Sequence, residues 1–256
     1  MTDGASRPRP PLQDDAGRTV PLGAWWRFRR DARYRLMQGF LWLLTHAYLR
    51  FRVEGLERLP APPYVLCFNH LDWADPLILV ALLPAPRRIY FFGPREHDMR
   101  IGWRNRLMAW VGNDVPFKPD KSHMVDTVRR VKDVLAAGYP LAIAGEGRVA
   151  EREDEVLPLN EGAAFFALHG QVPLVAVAVN GTRVIRFGKR IRVRVGEPIP
   201  TTGRRPTKED VAALTAEAHA VLSELVKGYR DPVPPSGYDL WITELFNHPK
   251  RGAPLP

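Results

Sequence analysis

The chain has 256 residues, and 45% of them are apolar, which is enough for one medium-sized domain with a substantial core. Its net charge of +9 favours an anionic partner, such as nucleic acid, a lipid surface or a phosphorylated substrate. The single cysteine, Cys67, excludes an intramolecular disulfide. It lies in an apolar run, where a buried and inert thiol is expected rather than a nucleophile.

The first fifth of the chain predicts attachment to a membrane surface. Residues 1–22 are polar and proline-rich, without the apolar stretch of a secretory signal, and predict a disordered arm. Arginines alternate with aromatic residues over 25–35, and residues 36–49 are nearly all apolar. A helix of 14 residues is about 21 Å long, whereas a bilayer core is about 30 Å thick. We therefore predict a helical membrane-binding segment over 23–54; a core helix with a solvated basic start is the alternative.

The rest of the chain alternates between strand and helix patterns. Strands are predicted over 64–68, 88–92, 139–147, 172–182 and 190–199, and helices over 77–83, 98–111, 122–137, 161–169 and 207–227. Residues 114–121 predict a loop or a short strand. This alternation predicts an α/β fold with a central mixed, largely parallel sheet flanked by helices, occupying residues 55–230. Residues 231–256 read as a proline-rich tail.

The segment that follows the first strand of this domain carries the strongest chemical signal. The strand ends in Asn69 and His70, and two carboxylates follow, Asp72 and Asp75. Ligands of open α/β sheets bind at the carboxyl ends of strands. His70 could act as a general base if a carboxylate held its ring, and Asp75 is the favoured partner over Asp72. The alternative is a purely structural role, in which Asp75, directly before Pro76, caps the start of a helix.

Two other kinds of site are not expected. Histidine and aspartate can bind metals, but the remaining histidines show no paired spacing typical of zinc ligands. The basic charge would suit nucleic acid, yet no helix-turn-helix, zinc-finger or RNA-recognition pattern is present. We therefore expect no metal, no nucleic-acid partner and no cofactor.

Four sequence blocks in order resemble the glycerolipid acyltransferase family, which includes the lysophosphatidic acid acyltransferases. His70 and Asp75 match its His-x4-Asp motif, and "GNDVPFK" at 112–118 resembles the second block. "GEGR" at 145–148 and "QVPLVAVAVNGT" at 171–182 resemble the third and fourth. "NEGAAFFALHG" at 160–170 matches the helix between them. The sequence departs from the family at Gly145, where proline is usual, at Arg148, where threonine is common, and at Asn160, where lysine is usual.

The resemblance implies transfer of a fatty acyl group from a thioester, on coenzyme A or acyl carrier protein, to a glycerol hydroxyl. His70 would be the general base and Asp75 its orienting partner. Lys121 is an alternative to Lys118 for the basic residue of the second block. The residues that the resemblance assigns to substrate binding are Asn69, Lys118, Glu146, Gly147 and Arg148.

The family resemblance leaves the acceptor open. Lysophosphatidic acid, giving phosphatidic acid, is the expected acceptor; glycerol-3-phosphate or a lysolipid with a headgroup are alternatives. A non-catalytic lipid-surface binding protein of the same fold is the alternative from another functional class. The expected partners are membrane lipids, the thioester donor and the lysophospholipid, and the expected location is the cytoplasmic face of the cell membrane, as a monotopic or peripheral protein.

Overall fold

The computed structural model describes residues 24–84, 88–95, 110–117, 124–231 and 233–247. The helices are α1 (Ala24–Tyr48), α2 (Asp75–Leu82), α3 (Met124–Ala136), α4 (Gly162–Gly170), α5 (Lys208–Val226) and α6 (Gly237–Asn247). The strands are β1 (Arg50–Glu54), β2 (Val65–Phe68), β3 (Tyr90–Arg95), β4 (Asp114–Phe117), β5 (Leu141–Ala144), β6 (Leu174–Asn180) and β7 (Arg190–Val195). The predicted arm over 1–22 and the end of the tail lie outside the described residues.

These strands form a single sheet in the order β1-β7-β6-β2-β5-β3-β4. Every neighbouring pair is parallel except β6 and β7, which are antiparallel. The predicted α/β fold with a mixed, largely parallel sheet is therefore confirmed. Strand β2 is central, and the carboxyl ends of β2, β5 and β6 meet at one edge of the sheet.

Both faces of the sheet are covered, which explains the uninterrupted apolar runs of the central strands. All four residues of β2 and all seven of β6 are buried. Leu66 and Phe68 pack towards α1 and α2, while Val65 and Cys67 pack towards α3, α4 and α5. The sheet thus holds the end of β2 rigidly between two apolar layers.

Helix α1 lies antiparallel to α2 on one side of the domain. The Gln38 side chain donates to the carbonyl oxygens of Val80 and Leu83, at 2.9 and 3.3 Å. The face of α1 that meets α2 is buried, and the opposite face is exposed. The exposed large apolar residues of α1 are Trp25, Phe28, Leu36, Phe40, Trp42, Leu43, Leu44 and Tyr48. No helix in the described part of the chain is long and apolar enough to span a bilayer.

Two segments differ from what the sequence pattern predicts. Residues 50–54, grouped above with the membrane-binding segment, form β1 and pair in parallel with β7. The sheet therefore begins before the predicted domain start at residue 55. The tail contains helix α6, for which no helix was predicted. Most of the helix predicted over 98–111 lies outside the described residues.

Candidate active site

The turn between β2 and α2 brings His70 and Asp75 together. The Nδ1 atom of His70 lies 2.9 Å from Oδ2 of Asp75. The same oxygen accepts the backbone N–H groups of Leu71 and Asp72, at 2.7 and 2.9 Å. Asp75 is fully buried, so its orientation is fixed by these three donors. Because a carboxylate only accepts, Nδ1 carries the ring proton and Nε2 is the free basic nitrogen.

Asp72, the competing partner for the histidine, faces elsewhere in the turn. Its Oδ1 accepts the backbone N–H of Ala74 at 3.2 Å. Between the two carboxylates that the sequence offered, the hydrogen bond to the His70 ring belongs to Asp75.

Opposing effects act on the His70 ring, whose side chain is 24% exposed. Burial lowers the pKa of His70, because it disfavours the charged imidazolium. The hydrogen bond and charge of Asp75, with smaller contributions from Glu146 and Asp72, outweigh burial and leave the His70 pKa above its usual 6.5. The site therefore stabilises the imidazolium that a general base forms when it takes a proton.

Asn69 joins the end of β2 to β6. Its side-chain amide donates to the carbonyl oxygen of Val179 at 2.9 Å, and its Oδ1 accepts the Val179 N–H at 2.8 Å. The residue is completely buried. In this structure Asn69 holds the strand end that carries His70; the predicted contact of Asn69 with substrate stays a prediction.

Strand β5, next to β2 in the sheet, delivers Glu146 to the same edge. The loop that follows is tied to the histidine, since the Ala150 N–H donates to the His70 carbonyl oxygen at 2.7 Å. Glu146 Oε1 accepts the Leu157 N–H at 3.4 Å, whereas the buried Oε2 has no hydrogen-bond partner. Burial raises the pKa of Glu146 to about 7, against the lowering effect of the Leu157 and His70 N–H groups and the His70 charge. This carboxyl group can thus donate or accept a hydrogen bond near neutral pH.

The turn after β5 requires both of its glycines. Gly147 has φ +66°, and a Cβ there would collide with the side-chain amide of Asn160. That amide donates to the Glu146 carbonyl oxygen at 3.2 Å, and the Asn160 N–H donates to the Gly145 carbonyl oxygen at 2.8 Å. A Cβ on Gly145 would lie 2.6 Å from the Cys67 sulfur. Close packing thus accounts for glycine where the family usually has proline.

Arg148, the next residue, is exposed. The structure records no hydrogen bond or ion pair of its side chain with any described residue, so its charge is available to a ligand. Its loop is anchored two residues later, where the Ala150 N–H donates to the His70 carbonyl oxygen. Lys118 and its alternative Lys121 lie outside the described residues, and their predicted role stays a prediction.

An apolar cavity of ≈ 290 Å³ adjoins the His70–Asp75 turn. Its lining residues come from α1 and the residue after it, the β2–α2 turn, α2, the β6–β7 loop and α6: Leu41, Leu44, Thr45, Tyr48, Leu49, Asp72, Trp73, Ala74, Leu77, Ile78, Ile185 and Thr243. Apart from Asp72, considered above as a partner of His70, none of these residues was predicted to belong to the site, and no local pattern marks Ile185 or Thr243. On the opposite side of the sheet, burial raises the pKa of Cys67 to about 12, as expected of an inert thiol.

A histidine–carboxylate pair at the carboxyl edge of such a sheet, beside an apolar cavity, is the arrangement of an α/β enzyme that uses a general base on an apolar substrate. The family model described as "Acyltransferase" matches residues 50–180, about half of the chain, and the chain belongs to this family.

Acyltransferases from other organisms are similar to this chain at low sequence identity. The human 1-acyl-sn-glycerol-3-phosphate acyltransferase beta is 30% identical over 68% of this chain and 64% of its own length. The 1-acyl-sn-glycerol-3-phosphate acyltransferase of Saccharomyces cerevisiae is 24% identical over 70% of this chain and 60% of its own length. The chain thus spans less than two thirds of either relative. The crystal structure of the 1-acyl-sn-glycerophosphate (LPA) acyltransferase PlsC from Thermotoga maritima superposes with a TM-score of 0.60. The two sequences are 18% identical, and the superposition covers 79% of this chain and 85% of the PlsC chain. The two proteins therefore share a fold.

Proposed function

We propose that the protein transfers a fatty acyl group from an acyl thioester to the free hydroxyl of a lysophospholipid. Lysophosphatidic acid is the favoured acceptor and phosphatidic acid the product. The observation that carries this proposal is the 2.9 Å contact between His70 Nδ1 and the buried carboxylate of Asp75, at the edge of the sheet in a member of the acyltransferase family. The names of the two curated relatives support the choice of acceptor.

His70 acts as the general base. Its free Nε2 takes the proton of the acceptor hydroxyl as the oxygen attacks the thioester carbonyl carbon. Asp75 holds the ring through Nδ1 and stabilises the imidazolium. The C–S bond then breaks, the thiolate leaves, and the imidazolium returns the proton to sulfur. No protein nucleophile takes part, which agrees with the buried and unreactive state of Cys67.

The loop after β5 binds the acceptor. Arg148 is exposed and without a partner among the described residues, and its planar guanidinium suits the acceptor phosphate. Glu146 is not bonded to Arg148, and its buried Oε2 lacks a partner. An acceptor hydroxyl next to His70 would satisfy that oxygen. The unpartnered Oε2 therefore favours direct binding of the acceptor hydroxyl by Glu146 over an indirect role in which Glu146 orients Arg148.

The apolar cavity accommodates a fatty acyl chain. Its lining includes Asp72, Trp73 and Ala74 of the turn between His70 and Asp75, and we propose that one end of the acyl chain lies towards that turn. Coenzyme A and acyl carrier protein both remain candidate carriers of that chain.

Helix α1 holds the enzyme on the membrane. Its outward face exposes large apolar side chains at its start and along its second half, from Leu36 to Tyr48, and such a cluster is typical of a binding surface. Among the arginines of its first half, Arg30 is buried and Arg33 donates to the Trp110 carbonyl oxygen, whereas Arg35 is exposed and suits anionic lipids. We place the protein on the cytoplasmic face of the cell membrane, in contact with one leaflet.

The test is a turnover assay on purified full-length protein in detergent, with an acyl thioester and a panel of acceptors. Lysophosphatidic acid should give phosphatidic acid with stoichiometric thiol release. Glycerol-3-phosphate and lysophosphatidylcholine should react at least ten-fold more slowly. If either compound reacted faster than lysophosphatidic acid, that compound would be the preferred acceptor and the proposed one would be wrong. Binding of lysophosphatidic acid without any product would instead favour a non-catalytic lipid-surface protein.

A further inference from the structure

Helix α6 presents a second exposed aromatic surface. Tyr238, Leu240 and Trp241 are 68%, 44% and 50% exposed. The Tyr238 and Trp241 rings lie 6.0 Å apart, on one side of the helix. Large apolar side chains that cluster on a surface mark a binding site more often than single exposed ones do. The proposed catalytic mechanism makes no use of these residues.

Hydrogen bonds and ion pairs order the start of this helix and the chain before it. Ser236 and Asp239 cap its start, since the Asp239 N–H donates to Ser236 Oγ at 3.2 Å and the Ser236 N–H donates to Asp239 Oδ2 at 2.8 Å. The preceding chain is fastened at Asp231. Arg186 donates to Asp231 Oδ2 at 2.9 Å, and the buried ammonium of Lys189 lies 3.0 Å from the same oxygen. The position of α6 against the domain follows from Thr243, which lines the cavity.

That position is beside the far end of α1, at the cavity. Thr243 of α6 lines the cavity together with Leu44 and Tyr48 of α1. The β6–β7 loop completes the group: Phe187 is 73% exposed, and its ring lies 5.7 Å from that of Tyr48. We call the exposed aromatic residues of these three neighbouring elements, Tyr48, Phe187, Tyr238 and Trp241, the aromatic rim; Tyr238 and Trp241 lie on the outward side of α6, away from Thr243.

Unpaired positive charge borders this rim. Arg50 follows Tyr48 by two residues, Arg190 follows Phe187 by three, and the two arginines are paired residues in the register of β1 and β7. Both are exposed, and neither guanidinium has a partner within the described part of the chain. Like charges on adjacent strands repel, and nothing recorded in the fold offsets this repulsion. An anionic surface over the rim would do so.

We propose that the aromatic rim enters a phospholipid bilayer alongside α1, so that the acyl chain passes between α1 and α6 into the cavity without crossing water. The proposal rests on the proposed function and extends it, because it makes α6 part of the membrane contact and of the acyl entry path. Tryptophan and tyrosine favour the headgroup region, arginine favours anionic lipids, and the cavity behind them is apolar. A bilayer matches all three features better than a protein partner does.

The test places a fluorescent label at single introduced cysteines. Cys67 is buried and its thiol is held in the unreactive protonated form, so it does not compete for the label. Trp241→Cys probes the rim, and Phe40→Cys probes the outward face of α1. Val125→Cys, at an 81% exposed position on α3, is the matched control. The vesicles contain equal parts of phosphatidylcholine and phosphatidylglycerol, with and without lipids brominated in their acyl chains.

The label at Trp241→Cys should shift to shorter wavelength on the vesicles and be quenched by the brominated lipid, as should Phe40→Cys, whereas Val125→Cys should stay unchanged. The Tyr238→Ser/Trp241→Ser variant should bind vesicles about ten-fold more weakly, and Val125→Ser should bind normally. An unchanged label at Trp241→Cys would overturn the proposal. The proposal would also be overturned if the emission of this label shifted with protein concentration in the absence of vesicles, because a second copy of the protein would then cover the rim. Turnover in detergent, measured in parallel, shows whether the proposed function itself stands.

Discussion

Replacing Asp75 with asparagine tests the histidine–carboxylate pair with little change in shape. Oδ2 of Asp75 accepts from the His70 ring and from two backbone N–H groups, and an asparagine oxygen in that place can accept all three bonds. The new NH₂ group would take the place of Oδ1, which is buried without a partner. Asp75→Asn should therefore keep the ring orientation while removing the negative charge.

The size of the effect follows from the lost charge. A carboxylate about 4 Å from an imidazolium stabilises it by about 4 kcal/mol at an effective dielectric constant near 20. The His70 side chain is 24% exposed, so solvent screening reduces this contribution, to about 3 kcal/mol. The expected loss in kcat is then about 100-fold, and the His70 pKa should fall, because Asp75 no longer raises it.

The assay is the pH dependence of kcat/KM, followed by thiol release in detergent. A general base must be neutral, so wild-type activity should rise with pH around a midpoint above 6.5, because Asp75 raises the His70 pKa. Asp75→Asn should lower both the plateau and the midpoint. Asp72→Asn is the matched control, because it removes a negative charge from the same turn but leaves the bond between Asp75 and the His70 ring in place. Its kcat/KM should fall by less than about ten-fold. Equal losses in both variants, or an unmoved midpoint in Asp75→Asn, would refute this reasoning.

Three further variants separate the neighbouring roles. Burial raises the Glu146 pKa from 4.5 in the unfolded chain to about 7 in the folded protein. As pH rises from 4.5 to 7, the wild type should therefore lose about 3 kcal/mol of folding stability relative to Glu146→Gln, whose side chain does not ionise. Chemical denaturation at several pH values measures this difference. A pH-independent difference would contradict that shift. Arg148→Ala should raise the acceptor KM about ten-fold or more and leave the thioester KM nearly unchanged; the reverse pattern would move Arg148 to the donor site. Asn69→Ala removes two buried hydrogen bonds and should cost about 2–4 kcal/mol of stability, and a loss under about 1 kcal/mol would exclude the strand-linking role.

Local patterns predicted the central fold well and its margins poorly. Strands β2 and β6 are uninterrupted apolar runs because both of their faces are covered, and such runs are visible in the sequence. Strand β1 alternates arginine with apolar residues next to an apolar helix, and its membership of the sheet depends on pairing with β7, about 140 residues later. Helix α6 is short and follows a proline-rich stretch, so its pattern was too weak to predict a helix.

The same distinction applies to the candidate site. His70 and Asp75 are five residues apart, and a single tight turn brings them together, so their contact could be predicted from the sequence. The choice between Asp75 and Asp72 needed the geometry of that turn. The cavity could not be predicted, because Ile185 and Thr243 reach it only through packing of distant segments.

The most direct test of the account is the release of free thiol from an acyl thioester by wild type and His70→Ala, with and without lysophosphatidic acid. The wild type should release thiol rapidly only when the acceptor is present. The His70→Ala variant should unfold at the wild-type temperature and release thiol at least about 1000-fold more slowly, since its acceptor hydroxyl has no base. Acceptor-dependent release at the wild-type rate by a folded His70→Ala protein would contradict the proposed chemistry.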